Sequence, residues 1–306
     1  MAEQRVQYLF GIDLDGTLLS PSGKVTDRTK AAVHAILQAG HRVAFATGRN
    51  YIESRKIFDS IEHRDLVVLV SGAMVVDARA GLTVKRSNMN PTLAAELCGS
   101  IERLGHAAVA FQDRHFTGID YMVSHDRFIH ESLNSWLTLS EQRMERRHDL
   151  GKHDHSHTLR VSTVLDLKAS AELKSVVSRE FAGRAYVHGV MVPSDGVEIV
   201  EMFDPYVNKW LGLKHVADHY KIDHDRIITV GDDHNDLPMI RNSRFGIAMG
   251  NARADVKAVA RRIIGTNAEE GLAEFLEQWL RDPEGATAAE NAHRDRVSPA
   301  DVETSA

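Results

Sequence analysis

The single cysteine of this 306-residue chain, Cys98, excludes an internal disulfide and fits a reducing compartment. No apolar run approaches the roughly 18 to 20 residues that span a bilayer. Residues 1–5, ahead of the first apolar run, carry no hydrophobic stretch of the kind that opens a secretory signal. Positive charge is also short: 37 Lys and Arg against 43 Asp and Glu leave a formal charge of −6. That balance argues against a dedicated nucleic-acid binder and gives no support for docking on an anionic membrane. These absences point to a cytoplasmic protein that works on neither nucleic acid nor membrane, and they leave its oligomeric state open.

What is present is first of all a core. An apolar content of 43% against 26% charged residues suits a soluble globular protein, and the length suits two domains or one large domain with an insertion. The first third alternates strand and helix signals. After an apolar run at 8–12, Thr26 or Asp27 can cap a helix running to about residue 39, with Gly40 as its stop. A strand at 42–46, a helix at 51–60 and the buried run Leu66-Val67-Val68-Leu69-Val70 come next, and that alternation predicts a parallel sheet. Residues 72–85 read as a hairpin around Ala80-Gly81. The parallel pattern returns with a helix at 209–220, a buried strand at 227–230, a short helix at 238–241 and a strand at 245–249. The expected architecture is α/β: a Rossmann-like, doubly wound parallel sheet core made of 1–85 and 193–282, interrupted by an inserted α/β cap at 86–192. Residues 283–306 contain almost no large apolar side chain and read as a disordered tail.

Four short motifs sit where the parallel strands end, the place where open α/β sheets hold their ligands. Asp13-Leu14-Asp15-Gly16-Thr17 puts two carboxylates at the mouth of a buried strand, followed by a turn glycine and a hydroxyl. Unpaired buried charge is expensive, so such a pair suits gripping a divalent cation while one carboxylate attacks an electrophile better than it suits packing. Ala46-Thr47-Gly48-Arg49 supplies a hydroxyl, a flexible turn and a cation after the second strand. Lys209 begins the helix after the insertion, and Gly231-Asp232-Asp233-His234-Asn235-Asp236 adds three carboxylates and an amide. Taken singly, each of the last three reads as a turn, a solvated lysine or a capped loop. The set in this order, each at a strand end, outweighs those readings.

With these four motifs the chain resembles the haloacid dehalogenase superfamily phosphatases, in the Cof-like branch whose α/β cap is inserted after the third strand. Met249-Gly250-Asn251-Ala252 adds to the likeness, which covers about residues 8–280. The resemblance implies Mg²⁺-dependent hydrolysis of a phosphate monoester of a small metabolite, with sugar phosphates favoured, through an aspartyl-phosphate. It implies that Asp13 is the nucleophile and Asp15 the general acid and base. Asp13, the Asp15 carbonyl and Asp232 would hold Mg²⁺, with Asp236 supporting the metal or its waters. Gly16, Thr47, Gly48, Lys209 and Asn235 would cradle or orient the phosphate, and the cap would choose the leaving group. Two readings stay open beside it: a phosphomutase or phosphotransferase using the same intermediate, and a regulatory binding protein without turnover. A two-component receiver shares an acidic pocket but fits neither the insertion nor Asp15-Gly16-Thr17.

The chain departs from similar proteins at two points. Ser71-Gly72 stands where Asn-Gly is usual, and Trp210 comes after the lysine where a small residue is usual. Inside the insertion, His148, His153, His155 and His157 read as a solvated loop, while Arg143, Arg146, Arg147 and Arg160 read as a solvated helix face.

Overall fold

The computed structural model describes residues 6–138, 141–192 and 194–287. They fall into two compact units, one built from residues up to 85 and from 208 onward, the other from 86–207.

The first unit begins with β1 (Leu9–Ile12), α1 (Asp27–Gln38), β2 (Arg42–Phe45), α2 (Tyr51–Ser60) and β3 (Leu66–Leu69). Thr26 caps α1 by accepting from the Thr29 N–H, and Asn50 and Glu53 form a reciprocal capping box at α2. β4 (Met74–Asp77) and β5 (Leu82–Arg86) complete a three-stranded sheet with β3, as the hairpin signal predicts.

The second unit contains α3 (Pro91–Arg103), β6 (Val109–Gln112), the single turn α4 (Arg114–Thr117), β7 (Tyr121–Ser124), α5 (Glu131–Thr138), β8 (Met144–Arg147), β9 (Thr158–Asp166), α6 (Leu167–Glu180), β10 (Tyr186–Val192) and β11 (Val197–Phe203). Its sheet has the order β10-β11-β9-β6-β7-β8, antiparallel except for β7 with β8. Leu93, Leu97 and Ile101 of α3 and Leu173 and Val177 of α6 pack with Val161, Leu165, Val200 and Met202 of the sheet into its own core. The chain re-enters the first unit at Asn208, later than the expected return at 193, because Val197–Phe203 pairs with β10 and β9.

Two expectations for this unit change. The four arginines lie on no helix: Arg146 and Arg147 are in β8, and Arg143 directly precedes it. Arg160 is buried in β9, ion-paired to Glu201 at 2.7 Å and lying over the Phe111 ring at 3.8 Å. The histidine run is not one solvated loop either. His155 is buried, its ring nitrogens bonded to Thr158 Oγ1 (2.9 Å) and the Leu150 carbonyl (2.9 Å), while His153 Nε2 bonds the His148 carbonyl (2.8 Å). Cys98 is buried in the α3 core, an apolar position as its chemistry suggests.

Back in the first unit come α7 (Lys209–Tyr220), β12 (Ile227–Gly231), α8 (Leu237–Asn242), β13 (Phe245–Ala248), α9 (Ala254–Val259), β14 (Arg262–Ile263), α10 (Gly271–Arg281) and α11 (Pro283–Ala286). The parallel sheet has the order β14-β13-β12-β1-β2, and a parallel bridge from Ala46 to Val68 carries it on to β3. The strand order reverses beside β1, so the chain turns there to build the sheet outward in both directions. The expected tail starts as helix over Pro283–Ala286, and residues 288–306 lie outside the described residues. Among the described residues no helix is long and apolar enough to cross a membrane.

Candidate active site

β1 delivers Asp13 at its carboxyl end, and the Asp13 N–H donates to the Val230 carbonyl of β12 (3.0 Å), locking the two strand ends together. β12 in turn delivers Asp232. The chain leaves Asp13 through a tight turn in which Gly16 has φ +80°. A Cβ on Gly16 would lie 2.2 Å from Asp232 Oδ2, so a side chain there would push the two motifs apart. Thr17 Oγ1 donates to Asp232 Oδ1 (2.9 Å), and Asn251 Nδ2 donates to the Gly16 carbonyl (2.8 Å).

Lys209 is the first residue of α7, whose start is fixed by Asn208 accepting from the Leu211 N–H (3.1 Å). Its side chain is 1% exposed, and Nζ donates to Asp13 Oδ1 (2.7 Å) and Asp236 Oδ1 (2.6 Å). The other oxygen of Asp236 accepts from the backbone N–H groups of Asp232 (2.9 Å) and Asp233 (3.1 Å). Asp236 therefore holds the lysine with one oxygen and shapes the Asp232 turn with the other.

Thr47 ends the β2 path. Its N–H donates to the Val68 carbonyl (2.9 Å), its Oγ1 accepts from the Arg49 N–H (3.2 Å), and Gly48 lies in the same turn. Asp15 stands apart from the buried carboxylates, half exposed, where the Arg49 guanidinium grips both its oxygens, Nε to Oδ2 at 2.8 Å. In these turns Asn235 Oδ1 and Ser71 Oγ are buried with no hydrogen-bond partner among the described residues. Ser71 sits at φ +53° and donates its N–H to the Thr47 carbonyl (2.9 Å). His234 Nδ1 is engaged by Asp255 Oδ2 (2.6 Å).

Asp13, Asp15, Gly16, Thr47, Gly48, Lys209, Asp232 and Asp236 are thus gathered on the turns that leave three neighbouring strands and the start of one helix. Two partners escape a reading by motif. Arg49 lies within a quoted motif, but its grip on Asp15 depends on how two turns face each other. Asn251 ties the last core turn to the first, and only its place in Met249-Gly250-Asn251-Ala252 signals it.

Charge is unbalanced here. Burial lifts the Asp13 carboxyl well above the usual carboxylate range; Lys209 pulls it back, and Asp236, Asp232 and Asp15 lift it further. Burial and the neighbouring Asp236 push Asp232 up to about 7. Burial alone would lower the Lys209 ammonium, but the Asp13 and Asp236 carboxylates outweigh it and hold the lysine above its ordinary value. The lysine stays charged, and the shortage of positive charge falls on the carboxylates. Oxygens of Asp13, Asp232 and Asp236 lie within 4.8 Å of one another. Hard oxygen donors with excess negative charge suit a hard divalent cation.

The chain is also similar to known proteins. A family model described as haloacid dehalogenase-like hydrolase matches residues 10–276. The 5-amino-6-(5-phospho-D-ribitylamino)uracil phosphatase YitU of Bacillus subtilis (strain 168) is 26% identical over 275 residues, covering 89% of this chain and 97% of that one. The HMP-PP phosphatase of Cronobacter sakazakii is 24% identical over 277 residues, covering 90% of this chain and 96% of its own length. Among solved structures, a haloacid dehalogenase-like hydrolase from Bacteroides thetaiotaomicron superposes with a TM-score of 0.71 at 19% identity, over 89% of this chain and 99% of that one.

Proposed function

The chain belongs to the haloacid dehalogenase-like hydrolases, and from that premise we propose that it is a Mg²⁺-dependent phosphatase of small phosphorylated metabolites, sugar phosphates first among them, working through an aspartyl-phosphate on Asp13. The observation that carries this reading is the close set of Asp13, Asp232 and Asp236, the first and last of them buried, against the one ammonium of Lys209. Both named relatives are phosphatases, and the substrate in the first name is a phosphomonoester on a ribityl chain.

The residues present fit Mg²⁺. Three carboxylates within reach of one another are short of positive charge, and Asn235 Oδ1 is a buried acceptor with no partner among the described residues. Asp13, the Asp15 carbonyl and Asp232 would hold the ion. Asp236 already spends both oxygens on Lys209 and on backbone N–H groups, and so supports the site by positioning. When bound, the ion offsets the repulsion between the carboxylates and an anionic phosphate and the charge that develops during transfer.

The protein's own groups do the rest. Asp13 attacks phosphorus in line, forming its own O–P bond as the bond to the leaving oxygen breaks. Lys209 and the Thr47 hydroxyl steady the non-bridging oxygens, with the N–H groups of the turn at Gly16 and the Thr47-Gly48 turn beside them. Asp15 gives its proton to the leaving alcohol, then takes one from the water that hydrolyses the acyl phosphate, so that inorganic phosphate leaves and both carboxylates return to their starting state. Arg49 grips the Asp15 carboxylate in the resting site, and that grip has to loosen for Asp15 to carry a proton. The inserted unit, 86–207, supplies the discrimination between leaving groups.

The test is phosphate release from a panel of phosphorylated metabolites and p-nitrophenyl phosphate, with Mg²⁺ and with EDTA. Release that requires Mg²⁺ is expected. It should vanish in Asp13→Asn and fall about 10²- to 10⁴-fold in Asp15→Asn, the loss typical for a proton-transfer group. Full activity in Asp13→Asn overturns the nucleophile. Turnover that depends on a bisphosphate activator and frees no phosphate overturns hydrolysis in favour of mutase chemistry.

A further inference from the structure

The second unit carries a separate group of metal-ligating side chains that shares no residue with the acidic set. β7 and β8 run parallel with Ser124 opposite Arg147, so the residues just past the two strands, His125 and His148, come out side by side. The His125 N–H donates to the Arg147 carbonyl (2.8 Å), and the two imidazoles face each other with centroids 4.4 Å apart and planes at 32°. Asp126 stands between them: His125 Nδ1 bonds one carboxylate oxygen and His148 Nδ1 pairs with the other. One ligand atom from each of the three side chains lies within 4.8 Å of the others.

We propose that His125, Asp126 and His148 form a binding site for a transition-metal dication of the Zn²⁺ type, clipping the exposed edge strand β8 to β7. Two imidazoles and one carboxylate are the ligand types that such ions take, and three protein ligands leave a fourth position for water or a ligand from outside. Mg²⁺ prefers an all-oxygen octahedron and competes poorly for imidazole. The three side chains are 48 to 68% exposed, so the ion can reach them from solvent. The neighbouring Arg127 directs its guanidinium to the carbonyls of Asp126 and Glu102 and to Asp149 (3.8 Å) rather than to the Asp126 carboxylate. His153 takes part only by bonding the His148 carbonyl, and His155 is committed inside the unit.

The experiment is a Zn²⁺ titration of the full chain, free of any affinity tag, by competition with a chromophoric chelator in saturating Mg²⁺, added to fill the acidic set as the proposed function requires. One Zn²⁺ per chain is expected to remain bound. His125→Ala and His148→Ala should each weaken it by at least the roughly 10- to 100-fold that loss of a ligand's supporting partner costs. His153→Ala should change it little. Cu²⁺ in the same site should show electron-spin coupling to two nitrogens, reduced to one in either single variant. The side chains are exposed, so the variants are expected to keep the wild-type far-UV circular dichroism; Asp126→Asn, which keeps size and shape, gives an independent variant that should also weaken Zn²⁺. Failure of the wild-type chain to hold Zn²⁺ in excess Mg²⁺, affinity unchanged in both histidine variants, or an all-oxygen Cu²⁺ spectrum would each overturn the proposal.

Discussion

Lys209 is the residue on which the charge of the site turns. It is buried beside Asp13 and Asp236, and it is the cation that both of them touch. Removing one partner of a buried ion pair typically destabilises by about 3–5 kcal/mol, because the charge left behind is not solvated. Lys209→Met should therefore lower stability by that order at neutral pH in EDTA, and the deficit should depend on pH with a definite sign. Asp232 has a folded value raised to about 7 from 3.8 by burial and by Asp236, so its contribution is favourable at low pH and is lost as pH rises through about 7. Without the lysine the carboxylates are pushed further in the same direction. The variant's deficit should be larger at pH 8 than at pH 5.5, and urea unfolding at the two values measures it; an equal deficit would mean that the lysine acts by packing alone. At this scale much of the site's position was legible, since Asp13, Asp15, Asp232 and Asp236 sit in motifs at strand ends and Lys209 opens the helix after the insertion. The partners set by turn shape were not. Arg49 finds Asp15 and Asn251 finds the Gly16 carbonyl only once the turns have their φ and ψ values. His125 and His148 are brought together by parallel pairing that no local spacing announces.

Elements were easier to read than the contacts between them, because caps and periodicity are local. The Thr26 cap and the buried runs at Leu9–Ile12, Leu66–Leu69 and Ile227–Gly231 all show in the sequence. The turn after α2 does not. His63 lies just past the helix end, 2% exposed, donating its N–H to the Phe58 carbonyl (2.9 Å), with its ring edge on Phe45 at a centroid distance of 4.7 Å. Nothing in Glu62-His63-Arg64 distinguishes it from a solvated turn. Burial pulls the His63 ring down to about 4 from 6.5; the Asp65 charge and a backbone hydrogen bond at Leu66 oppose this, and Arg64 adds to it. A histidine whose folded value is depressed is neutral inside the protein and takes up a proton on unfolding. Its stabilising share is whole above about 6.5 and is lost as pH falls from there toward 4, by up to about 3 kcal/mol in all. His63→Gln, which cannot titrate, should be less stable than wild type at pH 8 yet lose less on acidification. Urea midpoints at pH 7 and pH 5 give the comparison, and parallel losses in the two proteins would refute the assignment.

At the scale of the whole chain, the insertion starts where the sequence suggests and ends later. Nothing in the sequence of the strand Val197–Phe203 assigns it to one sheet or the other, and its pairing with β9 and β10 places it in the second unit. That unit closes a core of its own around Leu97, fully buried on α3 among Leu93, Ile101, Leu173, Val177 and Val200. The proposed catalytic groups all lie in the other unit, whose buried strands β1, β2, β12 and β13 form a separate sheet. Two cores in one chain need not melt together, and all-or-none unfolding is the expectation for small single domains only. Leu97→Ala removes buried methyl and methylene groups from the second core and should cost about 2–5 kcal/mol there. Hydrogen exchange resolved along the sequence is the direct measurement. Amides of β6, β9 and β11 should open at lower free energy in the variant, while those of β1 and β12 keep their wild-type protection and hydrolysis of p-nitrophenyl phosphate at low temperature stays close to wild type. If β1 and β12 lose protection to the same extent, the two cores unfold as one cooperative body, and the inserted unit is then part of what holds Asp13 and Lys209 in place.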